Sequence, residues 1–118
     1  NETLSTSAYS VTITELKPAA TKFGFKPKDG NMHIAINFMV ENISDKEIDS
    51  YQKVTCLADG FLADYYVYSD DTFLPSTQIP AGMKITGYHC FEVPADAKEF
   101  TIKYGDYMTF TIENTIEQ

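Results

Sequence analysis

Between Asn31 and Asn42 the chain alternates strictly. Met32, Ile34, Ile36, Phe38 and Val40 fall on one phase, and His33, Ala35, Asn37, Met39 and Glu41 on the other. This period of two predicts a strand with one buried face. Ala8 to Leu16 repeats it, with Tyr9, Val11 and Ile13 set against Ser10, Thr12 and Thr14, before Lys17-Pro18 disturbs the pattern. A third long strand is launched by the Pro80-Ala81-Gly82 turn after Ile79 and ended by Pro94. On it Met83, Ile85, His89, Phe91 and Val93 share a face, while Lys84, Thr86, Cys90 and Glu92 share the other. Phe100 to Tyr104 alternates again, and after a Gly105-Asp106 turn Met108, Phe110 and Ile112 complete the pattern.

Other segments are strand-like but less regular. Ile48 to Leu57 reads as one strand, joined by an Asp59-Gly60 turn to Phe61–Tyr68, which is weakly phased. Phe23 to Gly30 reads as a connection closed by Asp29-Gly30, Asn42 to Lys46 as a polar turn, and Ser69 to Ser76 as a loop carrying Asp70-Asp71. Nothing shows the 3.6-residue apolar period of a helix. Seven or eight short strands separated by turn residues predict an all-β, antiparallel fold, a sandwich or a barrel. Residues 8–118 form that single domain. Residues 1–7, Asn1-Glu2-Thr3-Leu4-Ser5-Thr6-Ser7, read as a polar tether of the kind left when a signal or anchor is removed.

Asn31-Met32-His33-Ile34 running into Val40-Glu41-Asn42-Ile43-Ser44-Asp45-Lys46, the Asp59-Gly60 hairpin, and Pro80-Ala81-Gly82-Met83-Lys84-Ile85-Thr86-Gly87-Tyr88 with Phe91-Glu92-Val93-Pro94 occur in that order. Order and spacing resemble a family of immunoglobulin-like domains of unknown function. That family occurs in secreted proteins and lipoproteins, mainly of Gram-positive bacteria. The resemblance covers most of Asn31 to Tyr104 and implies an immunoglobulin-like β-sandwich exported from the cell. It carries over no catalytic residue, because the matched positions are turns and core. A fainter likeness is to immunoglobulin-like bacterial protease inhibitors, without an inhibitory loop motif to support it.

Composition agrees with sheet. Aromatic residues make up 14% of 118 residues, all Phe and Tyr, which suit strands. Nine basic and seventeen acidic residues give a net charge of −8, a surface that repels phosphate backbones and disfavours nucleic acid and anionic membrane as partners. No apolar run is long enough to cross a bilayer. Membrane association is expected only through a removed or lipidated N-terminal anchor.

Each chemical candidate has a plain structural alternative. Cys56 and Cys90 lie on separate predicted strands, and an exported domain would bridge them naturally. The loop closure would stabilise the fold by roughly 3–4 kcal/mol. However, the phase of the third strand puts Cys90 with Lys84, Thr86 and Glu92 rather than with Phe91, so two buried free thiols are the alternative. His33, His89, Cys56 and Cys90 are zinc- or copper-type ligands, but adjacent strand residues such as His89 and Cys90 point to opposite faces. His89 shares the phase of Phe91 and is expected to be a hydrogen-bonded core histidine, His33 to be exposed beside Asn37, and no metal site or cofactor is expected. Asn42-Ile43-Ser44 fits the glycosylation sequon but is better explained as a turn.

Nothing in the chain matches a nucleophile elbow, a phosphate-cradling loop or a zinc-protease helix, so no enzyme activity is expected. The functional expectation is a non-catalytic, extracytoplasmic binding module, secreted or borne on a cell-surface lipoprotein. Its partner would be a protein or glycan at the cell surface. The candidate binding residues are Tyr65, Tyr66, Tyr68, Asp70 and Asp71, because loops on a rigid scaffold are where such folds keep function. An immunoglobulin-like protease inhibitor and a zinc or copper carrier are the alternatives.

Overall fold

A computed structural model describes residues 2–21 and 24–116. Phe23, at the start of the connection expected from Phe23 to Gly30, lies outside the described residues. Eleven strands are present among those described: β1 (Thr3–Ser5), β2 (Tyr9–Pro18), β3 (Asn31–Asn42), β4 (Ile48–Asp49), β5 (Val54–Ala58), β6 (Phe61–Leu62), β7 (Asp64–Tyr65), β8 (Gln78–Ile79), β9 (Lys84–Pro94), β10 (Glu99–Tyr104) and β11 (Met108–Glu113). They form a five-stranded sheet in the order β1-β2-β3-β9-β7, a four-stranded sheet in the order β11-β10-β5-β6, and a small β4-β8 pair. All strand pairings are antiparallel. The two larger sheets enclose one core, so the fold is an all-β, immunoglobulin-like sandwich.

The alternation of β3 and β9 becomes burial directly. Ile34, Ile36, Phe38 and Val40 from β3 and Phe91 and Val93 from β9 meet Cys56, Phe100, Ile102, Tyr104 and Phe110 from the facing sheet. Each large apolar side chain fully buried this way contributes about 1.5–3 kcal/mol. The turns are those the glycines announce. Asp59 (φ 48°) and Gly60 (φ 89°) both take left-handed conformations, as a two-residue hairpin requires. The Asp59 carboxylate also accepts from the backbone N–H groups of Lys98 and Glu99.

Several expectations change. Thr3–Ser5, read as tether, pairs with β2 as an edge strand. β2 does not stop at Leu16 but runs to Pro18, because a bulge at Thr14 shifts its register on β3 between Ile13 and Glu15. The extra residue lets Leu16 come opposite Ile36 as Ile13 comes opposite Phe38, so an odd spacing still delivers two apolar side chains to one face. The segment read as one strand from Ile48 to Leu57 is two, β4 in the small pair and β5 in the four-stranded sheet.

The Cys56–Cys90 disulfide does not form; both cysteines are free and buried. Cys56 belongs to the core between the sheets. Cys90 belongs to a separate buried cluster with Ala35 and Tyr66, on the outward face of the five-stranded sheet. The sheet itself stands between them, as the phase of β9 requires. Burial pushes the Cys56 thiol up to about 12 and the Cys90 thiol up to about 11, so neither is a nucleophilic thiolate at neutral pH. Denatured protein prepared without reductant will therefore titrate as two thiols, and dithiothreitol will leave the melting temperature unchanged. A Tm that falls on adding dithiothreitol would contradict this arrangement.

Candidate functional site: an aromatic strap on the five-stranded sheet

All five candidate binding residues lie on one segment, residues 64–74, which crosses the outer face of the five-stranded sheet. It starts as β7, pairing Asp64 with Glu92 and Tyr65 with Phe91, and Tyr66 N donates to Cys90 O at 2.8 Å. It then leaves β9 and reaches the far side, where Ser69 bridges Thr21 and Asp70 N donates to Ala20 O at 2.9 Å. It returns to β9 in parallel, with Tyr88 N donating to Thr72 O and Leu74 N to Tyr88 O. The strap thus spans three strands of the sheet, β9, β3 and β2.

Because side chains alternate along β7, Tyr65 and Tyr66 part company. Tyr66 turns onto the sheet and is buried. Its ring stacks on His33 at 3.7 Å between centroids, nearly parallel at 14°, and its hydroxyl donates to Tyr68 O. This overturns the expectation that His33 is exposed: the ring is buried beneath Tyr66 and its Nε2 lies 2.9 Å from Glu92 Oε1. Hydrogen bonds from Asn31, opposed by burial and reinforced by His33 and by Lys28 N–H, hold the Glu92 carboxyl below the usual carboxylate range.

Asp71 is likewise a fastener. Its carboxylate accepts from Lys17 Nζ at 2.6 Å, from Ala20 N at 2.8 Å and from Ser69 Oγ at 2.7 Å. Burial alone would raise its pKa, but the hydrogen bonds from Lys17, Ser69 and Ala20 outweigh it and the carboxyl is held low. Asp70 is exposed, and Tyr68 is exposed with its ring stacked on Phe25 at 4.4 Å. The five predicted residues therefore divide: Tyr66 and Asp71 hold the strap down, while Tyr65, Tyr68 and Asp70 remain on the surface.

Tyr65 faces the other way, toward the open edge of the sandwich. Its hydroxyl lies 2.7 Å from His89 Nδ1, and its ring stands edge-on to Phe91 at 5.4 Å. Burial, with Cys90 adding, pushes the Tyr65 phenol up to about 12. His89 is the hydrogen-bonded, core-facing histidine expected, with the edge of its ring system against Phe38 at 5.3 Å. Burial lowers its pKa from 6.5 to about 4. The unfolded chain therefore binds a proton more readily than the folded one between these values, so stability falls as pH drops from about 6.5 to about 4. The full loss approaches about 3 kcal/mol at roughly 1.4 kcal/mol per pH unit. Urea unfolding at pH 7 and pH 4.5 will show this slope, and His89→Gln will flatten it. Equal slopes for the two proteins would place the acid sensitivity elsewhere.

Next to these fasteners the strap region exposes Phe61, Leu62 and Val67, which sequence reasoning passed over. The available signal was the missing alternation: Phe61 and Leu62 are consecutive, so they cannot both turn inward on a strand. His89 and Cys90, adjacent on β9, serve different clusters on opposite faces, and among the described residues no three His, Cys, Asp or Glu side chains come together as a metal site.

Residues 1–115 match a protein family described as a domain of unknown function, DUF4352. The chain belongs to this family. No curated protein matches it. Among solved structures the fold is shared by a candidate lipoprotein of Bacillus subtilis, ycdA, with a TM-score of 0.75 and 17% identity over 94% of this chain and 38% of the other. The chain thus spans well under half of ycdA. It is also shared by the secreted protein MPT63 of Mycobacterium tuberculosis, with a TM-score of 0.63 and 15% identity over 95% and 92% of the two chains. An uncharacterised β-sandwich protein of Clostridium difficile gives 0.56 and 12% over 97% and 90%. At these identities the likeness is one of fold, and it places this DUF4352 domain beside secreted and candidate lipoprotein sandwiches.

Proposed function

We propose that this DUF4352 domain is a non-catalytic binding module that works outside the cytoplasm, displayed by a lipid-anchored or secreted protein, and that its partner is a protein or glycan of the cell surface. One observation carries the reading. Within eight residues the chain exposes Phe61 (77%), Leu62 (73%), Tyr65, Val67 and Tyr68, although the domain already has a filled core. Phe61 and Leu62 are held by the pairing of β6 with β5, and Tyr65, Val67 and Tyr68 by the strap that Tyr66 and Asp71 pin. A pinned backbone limits the ordering cost of association to the side chains themselves, and exposed apolar and aromatic side chains gathered in this way mark a recognition surface. The secreted and candidate lipoprotein sandwiches that share the fold support the location.

The test is capture from a Gram-positive envelope fraction with the wild-type domain and with a Phe61→Ser/Leu62→Ser/Tyr68→Ser variant. All three side chains are exposed, but Tyr68 also stacks on Phe25 and stands edge-on to Tyr66, so Phe61→Ser/Leu62→Ser, which keeps those contacts and should melt as the wild type does, is run beside it. The expected result is loss of specifically retained material by both variants. Identical retention by all three proteins would sink the assignment of this surface.

A further inference from the structure

A second feature lies at one end of the sandwich, where the β4–β5 connection meets the last residues of the strap. Ser50, Tyr51, Gln52, Leu74, Pro75, Ser76, His89 and Tyr104 enclose a half-open pocket of about 170 Å³. At about 30 Å³ per water it has room for five or six waters. That is below the roughly 300–1,000 Å³ of sites for drug-sized ligands, and suits a single small ring.

The chemistry of the lining is unusual for this chain. Nine basic and seventeen acidic residues cover the protein, yet no Lys, Arg, Asp or Glu lines this pocket. Two of its polar groups are occupied: Ser50 Oγ with Pro75 O and Thr77 N, and Tyr104 hydroxyl with Ser50 O. Four are not. Among the described residues the Tyr51 phenol, the Gln52 amide, the Ser76 hydroxyl and His89 Nε2 have no hydrogen-bond partner, and no fully buried side-chain polar atom is left unpaired. His89 Nε2 is therefore open to the pocket, while Nδ1 is held by Tyr65. The half-buried imidazole is neutral at physiological pH, so it offers one donor or one acceptor and no charge. Tyr51 stands 66% exposed at the mouth, an apolar ring with a polar tip.

We propose that this pocket binds one neutral sugar ring of a glycan. A sugar presents apolar C–H faces for Tyr51, Leu74 and Pro75, and hydroxyls that both donate and accept, matching the amide, phenol, hydroxyl and neutral imidazole around it. An anionic or cationic ligand would find no counter-charge and would lose its hydration uncompensated. The inference rests on the domain being a binding module, but uses a surface different from the Phe61–Tyr68 patch, so each can fail alone.

The experiment is NMR titration of the whole ¹⁵N-labelled chain at pH 7 with methyl β-glucopyranoside, methyl α-mannopyranoside and N-acetylglucosamine, with glucuronate and glucosamine as charged comparators. The expected result is a saturable shift of His89 Nε2 with at least one neutral sugar and weaker binding of the charged ones. Tyr51→Ala and Gln52→Ala should each weaken binding by about tenfold, the effect of removing an anchoring contact, without lowering Tm. The Phe61→Ser/Leu62→Ser/Tyr68→Ser variant should bind the sugar normally. No saturable shift at His89 with any neutral sugar, or equal binding of glucuronate, overturns the proposal.

Discussion

Gly87→Ala will destabilise the domain by about 3–5 kcal/mol, the largest effect expected of any single methyl group added to this chain. Gly87 is buried in the middle of β9, where the returning leg of the strap passes over it. A Cβ there would lie 2.4 Å from both Leu74 Cα and Leu74 N, and 2.7 Å from the Phe73 carbonyl carbon. All three atoms are backbone, so no rotamer change relieves the clash. The backbone is held on both sides, by Tyr88 N donating to Thr72 O at 2.8 Å and Leu74 N donating to Tyr88 O at 3.1 Å. Overpacking costs about 1–3 kcal/mol, and each of these hydrogen bonds adds about 0.5–1.5 kcal/mol if it breaks. Against a typical total of about 5–15 kcal/mol, that is a fall in Tm of roughly 10–25 °C. Gly82→Ala is the control. A Cβ there meets nothing within 4 Å, so only the left-handed conformation at φ 77° resists it, at about 1–2 kcal/mol. The displaced strap would also uncover Cys90, which Phe73 helps to enclose, so its reaction with a thiol reagent in native protein should speed up. Gly87→Ala melting no lower than Gly82→Ala would mean the strap is free to lift.

The parts of the fold that were legible in the sequence are those whose physics is local. β3 alternates over its whole length because the core contacts it from one side. β9 is bracketed by Pro80-Ala81-Gly82 and Pro94 because a turn and a missing N–H delimit a strand wherever it packs. The unread parts depend on contacts distant in sequence. His33, Ala35 and Cys90 share the polar phase of their strands, which alone does not show what covers that face, and a segment some thirty residues from His33 and Ala35 folds over them. The bulge at Thr14 hid the continuation of β2 in the same way, since a strict period of two ends at the inserted residue.

The candidate site was half legible for a related reason. Tyr65-Tyr66-Val67-Tyr68 with Asp70-Asp71 announced an unusual loop, and all of it sits on the strap. Residue type could not tell an anchoring tyrosine from a displayed one. That division follows from the alternation set by pairing β7 to β9, and the pairing is itself a tertiary contact. Asp71 differs from Asp70 in meeting Lys17 and Ala20, more than fifty positions earlier, together with Ser69.

Asn42→Ala is expected to cost about 3 kcal/mol although it deletes only a small polar group. Asn42 ends β3 with no exposed surface, and its amide uses both functions. Nδ2 donates to Lys46 O at 2.7 Å and to Ile79 O at 2.8 Å, while Oδ1 accepts from Ser44 N at 2.9 Å and Ser44 Oγ at 2.7 Å. Its backbone closes the other side, with N donating to Met83 O and O accepting from Gly82 N. One side chain therefore shapes the Asn42–Lys46 turn and ties it to the segment that launches β9. It also explains why the sequon here is a turn: the nitrogen that would carry a glycan is buried between two carbonyls. Alanine would deprive the Ile79 carbonyl of this donor and the Ser44 N–H of its acceptor, while Lys46 O keeps Ser44 Oγ, at about 1–3 kcal/mol for each group that water cannot reach. Asn42→Asp separates this from loss of volume. It keeps the shape and the acceptor but turns a carboxylate toward two carbonyl oxygens, which disfavours the charged form and raises the folded-state pKa. A raised carboxyl pKa means that the folded state holds the proton more tightly, so stability lost at pH 7 returns as pH falls through that value. Equilibrium unfolding should rank wild type above both variants at pH 7, with Asn42→Asp gaining on Asn42→Ala at pH 5. If Asn42→Asp matches wild type at pH 7, the two donated hydrogen bonds do not hold the turn.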